Sequence, residues 1–189
     1  MEQILKLISQ VPPSVNHYLA YRVVKTTRGY IPTSYKTKEA TTYQKNFEKY
    51  VLDEVDKQKW DIEKIGDRHI YVETKFYFPR TDMDCNNYFK VLLDAITNTK
   101  KVWKDDNIVC EKVIGIQYDN KNPHIEITIH PVEYIGIFDN SEKLNAFENK
   151  CKQCARYSRN CALLKKAKTG HIEEGVTQDT CSSYKEKTK

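Results

Sequence analysis

The sequence predicts an α+β fold, a mixed β-sheet packed with two main helices, followed by a small cysteine-rich module. Three observations carry this reading. Residues 69–78 (HIYVETKFYF) and 124–131 alternate in polarity with the period of two of a half-buried strand. Residues 37–58 and 86–99 instead space their apolar side chains three to four apart, as one face of a helix requires. The last part of the chain departs from both patterns and holds Cys151, Cys154, Cys161 and Cys181.

Taken in order, residues 2–9 (EQILKLIS) read as a short strand, broken by Pro12-Pro13. Residues 14–36 read as a loop with short strands, punctuated by Gly29 and Pro32. In the helix over 37–58, Tyr43, Phe47, Tyr50, Val51 and Leu52 form the apolar stripe. The strand over 69–78 turns Ile70, Val72, Thr74, Phe76 and Phe78 to one side, and Pro79 ends it. The second helix carries Phe89, Leu92, Leu93 and Ile96 as its core stripe. Two strands follow, over 108–119 and 124–131, joined by a turn of composition DNKNPH. A first domain over 1–135 and a basic cysteine module over 141–189 are expected, with Pro131–Asn140 closing the first and linking it to the second.

Composition narrows the function classes. At 39% hydrophobic and 30% charged residues, the chain has enough apolar material for a core. No apolar run approaches the roughly 20 residues of a membrane span. The N-terminus lacks the basic start and apolar centre of an export signal, so the expected location is the cytoplasm. Residues 1–140 carry twenty basic and twenty acidic residues, so the net charge of +5 resides in residues 141–189, with eleven basic and six acidic. Such an excess suits a polyanionic partner, and equally a solvated tail.

The chemistry concentrates in Thr81–Asp106, TDMDCNNYFKVLLDAITNTKKVWKDD. Asp82 and Asp84 follow a strand, Asn86, Lys90 and Asp94 share one helical face, and Asp105-Asp106 open the next strand. Carboxylates gathered from separate elements repel one another unless a cation joins them, and hard oxygen donors suit Mg²⁺ or Mn²⁺. A lysine beside them can steady the charge of a phosphoryl transition state. The same residues also have a purely structural reading: acids complement a helix start, and Lys90 with Asp94 is an ordinary i, i+4 pair.

The segment DCNNYFKVLLDAI…VWKDDNIV resembles the signature of the RusA family of Holliday-junction resolvases, and PPSVNHYLAYR resembles the family's N-terminal Pro-Pro-Ser-x-Asn-x-Tyr segment. The resemblance spans roughly residues 5–131. It implies a metal-dependent endodeoxyribonuclease that resolves four-way junctions in recombination and repair, acting as a homodimer with Mg²⁺ or Mn²⁺. With Asn87, Lys90, Asp94 and Ala95 setting the register, Asp84 falls on the family's first acid, Lys90 on its catalytic lysine, and Asp106, with Asp105 beside it, on its last metal-binding acid. Asn86 falls where the family has a second acid. Its amide oxygen can ligate a cation but brings no charge, and Asp82 or Asp94 is an alternative source of that charge. Asn16, Tyr18 and Arg22, with Tyr21, are candidate DNA contacts; Tyr18 and Tyr21 have an equal reading as half-buried core or dimer residues.

The cysteine module has no counterpart in that resemblance. Cys151-Lys-Gln-Cys154, Cys161 and Cys181 could close a tetrahedral zinc site, with His171 as substitute ligand; an iron–sulfur site or unligated thiols are the alternatives. Lys165, Lys166 and Lys168 suit phosphates or a solvated face. Two further functional readings stay open: a RusA-like fold that binds branched DNA without cutting it, and an adaptor that works through the module.

Overall fold

A computed structural model describes residues 3–66, 68–159, 161–171 and 175–187; Met1 and Glu2, the first residues of the expected domain and strand, lie outside them. The chain forms two compact units, one of residues 1–65 and 70–130, the other of residues 66–69 and 131–189.

In the first unit, β1 (Leu5–Gln10) buries Leu5, Leu7 and Ser9 and turns the alternate residues outward. A short helix α1 (Val15–Tyr18) leads into β2 (Leu19–Thr26) and β3 (Gly29–Lys36), an antiparallel hairpin that forms a sheet of its own. The sequence suggested a loop with short strands here, because no hairpin residue is fully buried and no in–out alternation marks it. What holds it is the tight turn at Thr26–Gly29, where Gly29 takes a φ of 115° that a residue with a Cβ rarely adopts.

Helix α2 (Lys38–Gln58) starts at Thr37, whose hydroxyl accepts the Ala40 N–H at 3.2 Å, and buries Ala40, Gln44, Phe47, Val51 and Val55 at helical spacing. Leu52, expected in the core stripe, is exposed. It lies about 100° round the helix from Val51, which holds the inward position instead. After the short α3 (Ile62–Ile65), β4 (Ile70–Phe78) buries every second residue from Ile70 to Phe78. Helix α4 (Asn86–Thr99), a 3-10 turn at Asp106–Ile108, β5 (Val109–Tyr118) and β6 (His124–Pro131) follow.

The four-stranded sheet has the order β1-β6-β4-β5, with β1 antiparallel to β6 and β4 parallel to β5. It is the mixed sheet that the polarity patterns predict. Parallel neighbours need a crossover, and α4 supplies it. A bulge at Ile114 shifts the β4–β5 register; beside it the buried Thr74 hydroxyl is satisfied by the Lys112 carbonyl at 3.1 Å. Helices α2 and α4 pack on each other, and α2 packs on β1. Helix α4 is buried well beyond its predicted stripe: Tyr88, Val91 and Ala95 join Phe89, Leu92, Leu93 and Ile96. Only a narrow polar strip is left outside.

The second unit contains α5 (Ser141–Gln153), capped by the Asn140 side chain on the Lys143 N–H at 3.0 Å, and α6 (Leu163–Lys168). Its buried core is small: Phe138, Phe147, Ala167 and Val176. Residues 131–140, expected as a link, belong to this unit, because Phe138 is fully buried in that core. No helix among the described residues is long and apolar enough to cross a membrane.

Both tryptophans, Trp60 and Trp103, lie buried in the first unit. Trp103→Ala removes a fully buried ring and the 2.7 Å bond from its indole N–H to the Thr97 hydroxyl. The expected loss of stability is about 3–5 kcal/mol, read by Trp60 fluorescence in urea, against about 0.5 kcal/mol or less for Leu52→Ala. Equal effects would contradict the burial described.

Candidate active site

The exposed strip of α4 carries the first group of candidate residues. The chain leaves β4 at Pro79 and passes Arg80 and Asp82, paired at 2.8 Å on the surface. Asp84 then starts the helix: its carboxylate accepts the Asn86 N–H at 3.0 Å and its carbonyl the Asn87 N–H at 3.1 Å. Beneath it Cys85 is buried, its thiol pushed up by burial and by the Asp84 charge. Asn86, Lys90 and Asp94 follow at one-turn intervals, as their spacing requires.

Asp94 is held from two sides. Lys90 Nζ lies 3.5 Å from Oδ1, and the Tyr18 hydroxyl donates to Oδ2 at 2.9 Å. Tyr18 is only 5% exposed, packed with Ala40 and Val91, and the Lys36 ammonium sits 5.3 Å above its ring. Tyr18 had two equal readings, a DNA contact and a half-buried core or dimer residue. Its ring is buried in the core and its hydroxyl donates to Asp94, so it positions a neighbour. Lys90 stays largely exposed beside Asp94.

The second group lies beyond the other end of α4. The helix stops at Lys100, in the left-handed region at φ 53°, and buried Trp103 anchors the following segment. Asp105 accepts the Asn107 N–H at 3.0 Å and caps the 3-10 turn that Asp106 opens. Both acids are exposed. In β5, Glu111 joins them. Its carboxyl is pushed above the usual range, first by partial burial and then by the Asp106 charge. Sequence reasoning passed over Glu111; the available signal was a third acid five positions beyond Asp106, early in the strand that the paired acids open.

The two groups do not meet within one chain. In the parallel β4–β5 pair, Ile70 faces Val109 and Phe78 faces Tyr118. Asp84 follows the far end of β4, whereas Asp105 and Asp106 precede the near end of β5. The 14 residues of α4 separate them, about 20 Å at ~1.5 Å per residue. Among the described residues no three His, Cys, Asp or Glu side chains stand together in a way that would hold a metal ion. Asp84 and Asn86 therefore stand apart from Asp105 and Asp106 in the single chain. Their oxygen donors are of the kind that Mg²⁺ or Mn²⁺ takes.

The remaining DNA-contact candidates lie on exposed backbone. Asn16 is exposed on α1, which packs on α4. Arg22 sits on β2 with its guanidinium 5.4 Å over the Tyr35 ring. Residues 19–36 hold four basic and no acidic side chains, and Tyr21 (76% exposed) and Tyr30 (72%) stand clear of the hairpin.

In the second unit, Cys151, Cys154, Cys161 and Cys181 line one cavity of ≈ 510 Å³, and none forms a disulfide. Burial and the three neighbouring cysteines push the Cys151 thiol up to about 11. His171 is exposed, bonded to the Thr169 hydroxyl at 2.9 Å, and is not part of the cavity wall.

A raised carboxyl pKa makes a sign prediction. Below the unfolded pKa, Glu111 is protonated in both states and costs nothing; above the folded pKa its charge opposes folding. Glu111→Gln should therefore stabilise the fold at neutral pH and lose that advantage below about pH 4. Urea midpoints across pH read this, and a destabilised variant at pH 7 would refute it.

The family model for the endodeoxyribonuclease RusA matches residues 11–130, well over half of the chain, running from just after β1 to the end of the first unit. No curated protein matches the chain. The matched region contains both acid groups and the polar strip of α4, and on that match the chain belongs to the RusA family of endodeoxyribonucleases.

Proposed function

We propose that this protein is a divalent-metal-dependent endonuclease that resolves four-way DNA junctions as a homodimer, each active site being shared between two copies. The observation that carries the proposal is the separation of the acids. A nuclease site of this family's kind needs several oxygen donors at one point, and one chain holds Asp84 and Asn86 at one end of α4 and Asp105, Asp106 and Glu111 beyond the other. A two-fold axis that brings one end against the opposite end of a second copy forms two equivalent sites. Two related sites suit a substrate with two related strands to cut.

In this reading Asp84 and Asn86 of one copy and Asp105 and Asp106 of the other hold Mg²⁺ or Mn²⁺, which when bound supplies electrophilic support for phosphodiester hydrolysis. Lys90 places its ammonium against the charge that develops on the phosphate. Tyr18 and Asp94 keep Lys90 from wandering along the strip. The acid-free hairpin of Tyr21, Arg22, Lys25, Arg28 and Tyr30 grips the arms, phosphates through its cations and unstacked bases through its rings.

Asp106→Asn is expected to abolish cleavage of a labelled synthetic junction while leaving junction binding intact; retained cutting would sink the assignment. Co-expression tests the sharing. Asp84→Asn and Asp106→Asn are each inactive, yet a mixed dimer keeps one intact site, so about a quarter of wild-type nicking should return. No recovery from dimers shown to be mixed would place each site within one chain.

A second reading, a protein that binds the branch without cutting it, rests on Asn86 alone. Under the nuclease reading, Asn86→Asp adds a charged ligand and should lower the Mg²⁺ needed for half-maximal cleavage several-fold. A wild type inert in Mg²⁺ and Mn²⁺, with cutting only in Asn86→Asp, would favour the second reading.

A further inference from the structure

We propose that Cys151, Cys154, Cys161 and Cys181 bind one zinc ion as a tetrathiolate that holds the second unit together. The proposal is independent of the nuclease reading, since these residues lie outside the region that matches the family.

The four cysteines reach one cavity wall from three segments of chain. Cys151 lies in the last turn of α5 and Cys154 is its C-cap. Cys161 comes two residues before α6, and Cys181 sits in the bridge to Val176. The Cys154 sulfur already accepts backbone N–H groups from Arg156 at 3.5 Å and Lys185 at 3.4 Å. Such bonds favour a thiolate and aim its remaining lone pairs elsewhere. Cys154 and Cys181 occupy similar turns. Each pairs in a β-bridge, to Glu186 and to Val176, and each carbonyl accepts the N–H of a tyrosine three residues on, Tyr157 and Tyr184, both at 3.0 Å. Both tyrosines also line the cavity.

Physical need points the same way. Among the described residues, a single cluster of four buried side chains is a meagre core for this unit, and its cysteines form no disulfide. Four thiolates facing one space repel one another without a cation, and soft sulfur in a tetrahedral set selects zinc. The cavity is wider than a single ion and the sulfurs do not yet stand at ligating spacing. Binding therefore draws them in to about 2.3 Å from the metal, with release of the thiol protons.

The test uses the full chain purified under reducing conditions. Elemental analysis should find one zinc per chain, and Co²⁺ exchanged into the site should give the thiolate charge-transfer and visible bands of a tetrahedral tetrathiolate. Cys154→Ser and Cys181→Ser should weaken or abolish both signals, whereas Cys110→Ser, in the first unit, should keep them. Chelation of the wild-type zinc should make all four thiols react with iodoacetamide, as read by mass. Iron in place of zinc, absence of both zinc and cobalt bands in the wild type, or unchanged bands in Cys181→Ser would overturn the proposal; the first two need no variant to fold.

Discussion

Burial of α4 is the constraint on which the rest of the first unit depends. Seven of its side chains are buried, the valine, leucines, isoleucine and phenylalanine among them each contributing about 1.5–3 kcal/mol of gross burial free energy. The Lys90–Asp94 pair, with its lysine in solvent, contributes a few tenths by comparison. The core therefore dictates how the helix is rotated, and the polar residues take what surface is left. That surface is a single strip, so Asn86, Lys90 and Asp94 are lined up by the packing of their apolar neighbours. Tyr18 shows the same economy from the other side: its ring joins the packing and its hydroxyl fixes Asp94, the acid of the strip.

The same helix sets the limit on what one chain can assemble. A crossover between parallel strands must carry the chain from the end of one strand to the start of the next. Whatever precedes α4 and whatever follows it are kept a helix length apart. Acids at both ends are poorly placed to cooperate in cis. In the proposed function the dimer and the metal site would become one requirement, since a second copy would bring the two groups together. Glu111 belongs to this logic: desolvated in part though exposed as a residue, and crowded by Asp106, its charge is opposed in the isolated chain and would be relieved by a cation.

The second unit is governed by scarcity. Its described residues form two helices, isolated bridges in place of a sheet, and a core centred on the Phe138–Phe147 ring pair at 5.2 Å. Its cysteines converge on a cavity at the edge of that core, which Phe147, Leu163 and Leu164 also line. A metal in that position would do for this unit what the helix-on-sheet core does for the first.

Much of this was legible before the structure. Alternation in Ile70–Phe78 and Ile125–Ile129, and helical spacing in α4, report which side of an element meets the core, and a periodic pattern needs no tertiary information to be read. The hairpin β2–β3 escaped because both its faces are solvated, so its sequence carries no such period. Motif spacing and the family resemblance singled out Asp84, Asn86, Lys90, Asp105 and Asp106 as candidates. Spacing along the chain is not distance in space, however. By itself the sequence determined the strands and helices that bury one face, because such a pattern is local. Only the tertiary structure decided that Tyr18 is buried, that Glu111 joins Asp106, that four cysteines share one cavity and that the acids stand at opposite ends of α4. Each of these depends on how parallel strands and a buried helix bring distant segments together or hold near ones apart.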